Sequence, residues 1–167
     1  MRAVFIAASL SVCLVVAGCG KGSEKTVVIP GKDGNVTVST SGDSQHMTIN
    51  SANGTASYEI NANGGVHATM PDFAPLYPGA KVTSSIVANN PNGTRGAQVV
   101  FTVSAQPSDV IAFYKQKAGA ANLAQSVDAN INGTMMFEAG KDKKSLVVSA
   151  SSGNGGTQVS VIWGSDN

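Results

Sequence analysis

Along residues 26–70 apolar and polar side chains alternate in short bursts. Val36 and Val38 alternate with Thr37 and Ser39, and Met47 and Ile49 with Thr48 and Asn50. Ala56, Tyr58 and Ile60 alternate with Ser57 and Glu59, and Val66, Ala68 and Met70 with His67 and Thr69. A period of two puts one face of a strand against apolar neighbours and leaves the other wet. The bursts are separated by GKDGN, SGDSQ, SANG and NANGG, whose glycines and asparagines accept positive φ. This spacing predicts an antiparallel meander of short strands, with a small β-solenoid as the alternative. Residues 71–79, PDFAPLYPG, carry three prolines that fix the backbone and remove donors. They predict an irregular connector, its Phe73, Leu76 and Tyr77 laid on a neighbouring surface, and the domain boundary falls there.

Beyond the connector the pattern predicts strand, strand, helix and four strands. Val82, Ile86 and Ala88 form one side of the first strand against Thr83, Ser85 and Val87; Val99, Phe101 and Val103 form the apolar side of the second. Residues 106–118, QPSDVIAFYKQKA, predict the one helix: Pro107 suits the first turn, Asp109 the positive end of the dipole, and Gly119 a stop. Val110, Phe113, Tyr114 and Lys117 fall on one side of it. Strands near 123–131, 134–140, 145–151 and 157–163 follow, with an Asn132–Gly133 turn and the lysine-bearing tip Lys141, Lys143 and Lys144 between them. One helix must bury its stripe on the sheet, so the expected class is mainly β with one helix, α+β, spanning 80–165 after a β segment at 26–70.

The amino terminus reads differently. Arg2 is followed by an apolar stretch from Ala3 to Val16, then Ala17, Gly18 and Cys19. That is the three-part layout of an export signal and is short for a membrane span of about 20 residues. An ordinary cleaved signal has the same layout. Val16-Ala17-Gly18-Cys19 resembles the lipobox of bacterial lipoprotein precursors. The resemblance implies cleavage after residue 18, acylation of Cys19, a lipidated tether at 19–25 and the bilayer as a partner. Gly20, where inner-membrane retention would call for aspartate, implies the outer membrane, facing the periplasm or the cell surface. LYPGA at 76–80 with FYK at 113–115 also looks like small Gram-negative lipoproteins and periplasmic proteins of unassigned function, and that resemblance implies no chemistry.

Charge narrows the partners. Without residues 1–18 the chain has ten basic and ten acidic residues, which gives no reason to expect nucleic acid. With Cys19 acylated no intrachain disulfide can form, so packing alone must hold the fold. Of the 30 Leu, Ile, Val and Phe residues after residue 18, nine fall at 21–75 and twenty-one at 76–167. The ordinary core therefore belongs to the second region.

Candidate chemistry is sparse. Gly42-Asp43-Ser44 looks like the nucleophile block of GDS-type esterases, but no histidine follows His67 to complete such a site. A glycine-rich run at 153–156 lacks the lysine of a phosphate loop, and Asp33-Gly34-Asn35 lacks the carboxylates of a calcium loop. The sharper constellation is His46, Glu59 and His67, all on the wet side of their strands. If Asn50 pairs with Thr55, His46 faces Glu59; if Ile60 pairs with Val66, Glu59 faces His67. Such a row could hold zinc or nickel, or be a solvated His–Glu pair. A tight Asn53–Gly54 turn would instead set Thr48 opposite Glu59. Tyr77, Tyr114 and Trp163 could line a pocket between helix and sheet, or simply fill the core. The sequence thus predicts no cofactor and no enzyme. It predicts a membrane-anchored envelope module for interaction, its partner an envelope protein, a cell-wall polymer or a second copy met through strand edges. A small-ligand or metal carrier is the alternative.

Overall fold

A computed structural model describes residues 25–42, 44–52, 54–61, 70–91 and 93–166. The export segment, Cys19 and His67 lie outside them, as does all but the last residue of the strand expected near Val66–Met70. The chain forms β1 (Lys25–Gly31), β2 (Gly34–Ser41), β3 (Ser44–Ser51), β4 (Gly54–Asn61), β5 (Lys81–Asn89) and β6 (Thr94–Val103), then α1 (Pro107–Ala120). β7 (Ala124–Ile131), β8 (Thr134–Lys141), β9 (Lys144–Gly153) and β10 (Gly156–Asp166) complete it. The strand–strand–helix–four-strand order read from the sequence is the order observed.

All ten strands join one antiparallel sheet in the order β1-β2-β3-β4-β5-β6-β10-β9-β8-β7. Most neighbours are successive hairpins. The exception is β10, which returns to pair with β6 as well as β9, setting Phe101 beside Val159 and Val99 beside Val161. The meander β1–β4 is not a separate sheet, since β4 pairs with β5 across the connector, Glu59 beside Val87 and Tyr58 beside Ala88.

The core sits on one side of β5, β6 and β8–β10. Phe101, Phe137, Leu146, Val148, Val159 and Val161 are at most 2 % exposed there, and α1 lays Val110, Ile111, Tyr114 and Ala118 over β7, β8 and β9. Fully burying a side chain of this size stabilises by roughly 1.5–3 kcal/mol relative to leaving it in water. The helix stripe is therefore shifted from the expected one. Ile111 and Ala118 are buried, while Lys117 stays half-exposed with its Nζ 5.4 Å above the Phe113 ring. Gly119 does not stop the helix. The end comes at Asn122, whose φ of 55° lets its N–H reach the Gly119 carbonyl while Leu123 N–H reaches Ala118 at 2.9 Å. Both bonds, and the burial of Leu123 with Ala118, make a Schellman end.

The face assignment along β5 was reversed. Ser85 and Val87 are buried at 1 % and 8 % exposure, and Ile86 points outward. The register shifts between Val82 and Ser84, so a bulge at Thr83 moves the alternation by one residue: Val82 and Ser85 both reach the core side. β7 has a similar shift between Gln125 and Val127.

Candidate functional site

The connector behaves as anticipated for its aromatics. Phe73 and Ala74 are buried and Leu76 and Tyr77 pack on the core beside α1. Tyr77 meets Phe113 edge-on at 5.0 Å, and Phe113 meets Tyr114 edge-on at 5.1 Å. The Tyr114 hydroxyl donates to the Pro75 carbonyl at 2.8 Å. Burial pushes the Tyr114 phenol above its ordinary value, partly offset by the Tyr77 backbone, so this group remains a donor at any neutral pH. A turn from Tyr77 to Ala80, with Pro78 second and Gly79 third at φ 77°, then returns the chain to β5.

Of the three aromatics proposed as a pocket lining, Tyr77 and Tyr114 come together through Phe113. Trp163 lies on a separate row between Ala97 and Leu146, 5 % exposed, its indole N–H without a partner among the described residues. Two shallow hollows, of about 180 and 40 Å³, border the loops around Ser104 and Gly155; neither touches those aromatics. On the sheet side of the helix, Val110, Ile111, Tyr114 and Ala118 are buried in the core cluster.

The histidine row took one of its two registers. β3 and β4 pair Asn50 with Thr55 and Ser51 with Gly54, which sets His46 directly opposite Glu59. Ser39 and Thr26 continue that row to the sheet edge, with their hydroxyls 3.0 Å apart. Among the described residues no three histidine, cysteine or carboxylate side chains gather as a metal would need. Ser44 sits at the start of β3 with Asn61 and Ser41 as its paired neighbours, and His46 follows two residues later on the same strand.

What sequence reasoning missed is the surface of the β1–β4 ribbon. Pairing puts Thr37, Ser39, His46, Thr48, Ser57 and Glu59 on the side continuous with the helix, laced by bonds such as Thr55 Oγ1 to Asn50 Oδ1 at 2.8 Å and Asn50 Nδ2 to Asn35 Oδ1 at 3.0 Å. The opposite side carries the rows Val27–Val38–Met47–Tyr58–Ala88 and Ile29–Val36–Ile49–Ala56. None of these residues in β1–β4 is fully buried. At the outer edge, Val27, Val28 and Ile29 are 52 %, 53 % and 55 % exposed. The signal was present in TVVIPG before the GKDG turn: a run of three branched apolar residues of high strand propensity, ending in a proline that only an edge strand tolerates. Among the described residues no helix is long and apolar enough to cross a membrane.

Comparison with known proteins assigns the second region only. No curated protein and no solved structure matches the chain. Residues 81–166, just over half of the 167, match the model of the START domain-like family, a span that begins at the first residue of β5 and takes in β6, α1 and β7–β10. The open ribbon lies outside it. On that match the chain belongs to the START domain-like family.

Proposed function

We propose that this protein is a lipid-anchored envelope lipoprotein of the outer membrane and a non-enzymatic interaction module, with the START-like domain as its folded body and the β1–β4 ribbon as its docking surface. The observation that carries this reading is the ribbon itself: four strands that add almost nothing to the buried core yet present a half-exposed apolar face and an open edge. Such surface is tolerated in a soluble chain chiefly where something binds it. The sequence supports the anchor. Lipobox-like Val16-Ala17-Gly18-Cys19 precedes β1 closely, and the six steps from Cys19 to Lys25 span at most about 20 Å, which keeps the ribbon near the bilayer. Two or more acyl chains give the stable attachment that a single chain does not. The test is the intact mass of the native protein from membranes. Diacylglycerol and an acyl chain on Cys19, lost with membrane association in Cys19→Ser, are expected; native protein in the osmotic-shock fluid with an unmodified thiol overturns the anchor.

A second reading, a small-ligand carrier, is favoured by the family match, since START-like domains are generally ligand-binding. Binding between α1 and the sheet would require the Tyr77–Phe113–Tyr114 contacts to open. The single Trp163 reports on that side of the sheet, and its fluorescence on titration with apolar envelope metabolites tests the idea directly. A saturable shift would move the function from docking to carriage.

A further inference from the structure

From the two-sided chemistry of β1 we infer that the ribbon's partner is a second copy of this chain, joined β1 to β1 about a two-fold axis that passes through Val28. The inference rests on the anchored reading only for the local concentration that the bilayer supplies.

Val28 is out of place on its own face. Its cross-strand row runs Val28, Thr37, Thr48, Ser57, Asn89, so it is the one apolar residue in an otherwise polar line. Strand propensity accommodates a valine there, and a partner valine directly opposite would give it an apolar cross-strand neighbour that its own row does not. Symmetry then fixes the rest. Two antiparallel β1 strands can be exchanged only by a two-fold axis normal to the sheet, which keeps each face continuous with its like. With the axis at Val28, Val27 of each copy lies beside Ile29 of the other, extending the apolar face, and Thr26 lies beside Pro30. Moving the axis to Val27 would set Lys25 against Ile29 on that face twice. An axis at Ile29 would leave each Val27 beside Gly31, so the Val28 register is the one that gives both branched residues of the apolar face an apolar neighbour.

The same sheet explains why such pairing stops at two. Its other edge, β7, is broken by the register shift between Gln125 and Val127, and Asp128 is held by Lys115 at 2.6 Å. Bulges and charges of this kind blunt an edge. β1 lacks one donor at Pro30, while β7 carries both a bulge and a charge; pairing through β1 alone makes a closed dimer, whereas pairing through both edges would make a fibre. A seven-residue strand pair buries well below the roughly 1,200 Å² of a typical stable interface, so the contact is weak in dilute solution and gains from confinement to a surface.

A cysteine on the axis reads the contact. Directly paired Cα atoms are about 4.5–5.5 Å apart, inside the range a disulfide spans. In full-length protein in its own membranes, Val28→Cys should give a disulfide-linked species of twice the mass, several-fold above the unsubstituted chain. Val27→Cys should give less than Val28→Cys. Ile131→Cys, equally exposed but on β7, should stay at background. At concentrations high enough for the detergent-extracted parent to sediment as a dimer, Val28→Lys should shift it to monomer. A Val28→Cys signal no greater than Ile131→Cys overturns the dimer, and a Val27→Cys signal equal to or above Val28→Cys overturns this register. In a background carrying both Cys13→Ser and Cys19→Ser, which removes the anchor and both thiols of the sequence together, crosslinking must return as protein concentration is raised. Its return alongside an unlipidated native protein would sink the anchor and leave the dimer; its absence at every concentration sinks the dimer alone.

Discussion

The two halves of this sheet use the same strand chemistry to opposite ends. In β5–β10 the apolar rows face α1 and the connector, where Phe101, Phe137, Val148 and Val161 lose essentially all contact with water. In β1–β4 the apolar rows turn to the other side, and the helix-side face becomes a ladder of hydroxyls and amides around His46 and Glu59. The hydrogen-bonded backbone is continuous through both. What differs is whether anything stands over the apolar face, and this teaches that pairing alone makes a sheet while cover makes a core. Stability should therefore be concentrated in the family-matched part, with the ribbon able to open without it.

The largest expected effect tests that division. Phe101→Ala removes a wholly buried ring between Val82 and Val159 and should cost about 3–5 kcal/mol in denaturant unfolding, as buried aromatics do. Met47→Ala, in the middle of the ribbon's apolar face, should cost less than about 1 kcal/mol. Equal losses at the two positions would mean that the ribbon's apolar side is covered within the monomer, and the comparison would collapse.

A glycine sharpens the boundary. Gly34 begins β2 at φ 155°, and a Cβ there would sit 1.8 Å from the Asn50 carbonyl oxygen. Gly34→Ala should therefore pry β2 from β3, with strain of about 1–3 kcal/mol. If the ribbon opens separately, the loss should appear as faster amide exchange in β1–β3. The denaturation midpoint of the START-like part should hold. A matching drop in global stability would show that the ten strands unfold as one unit.

How much of this was legible beforehand follows the same line. The sequence told strands from helix well, because alternation in Val99–Val103 and Val159–Trp163, and the Pro107 and Asp109 start, are local signals. It failed where a single residue changes phase. The bulge at Thr83 reversed the faces of β5, and no local pattern marks a residue that drops out of a ladder. It missed Ile111 because a helix stripe is settled by what lies beneath it, here β8 and β9. For the site, His46 opposite Glu59 was one of two registers the turn residues left open, and the third donor, His67, falls outside the described residues. The apolar side of the ribbon was visible as alternation. That it faces away from the helix was not, since that depends on which strands stand between.

A smaller effect belongs to the connector that closes the core. Tyr114→Phe deletes the bond to Pro75 and should cost about 1 kcal/mol. Since the folded protein holds the phenolic proton more tightly than the unfolded chain, this stabilisation is complete below a pH of about 10 and declines as pH rises beyond it toward the folded value. Alkaline melting curves of the parent should fall more steeply than those of Tyr114→Phe in that range. Parallel curves would mean that the connector already yields to water there, and that the cover over the second half is no tighter than the ribbon's open face.

The smallest effect lies at the protected edge. Lys115 on α1 and Asp128 on β7 approach to 2.6 Å, but their side chains remain 36 % and 40 % exposed. Water and salt screen such a pair, so a double-mutant cycle with Lys115→Met and Asp128→Asn should return a coupling of about 0.2–1 kcal/mol that shrinks in high salt. The pair's value is then positional: it holds a charge on the outermost strand and denies that edge to another chain. If so, Asp128→Val should leave unfolding nearly unchanged while promoting association beyond the dimer, visible as larger species in sedimentation. A variant that stays dimeric would place the protection of β7 in the bulge at Ser126 and not in the carboxylate. A variant that grows would make the two edges differ by a single charge, which is the contrast between the halves reduced to its simplest form.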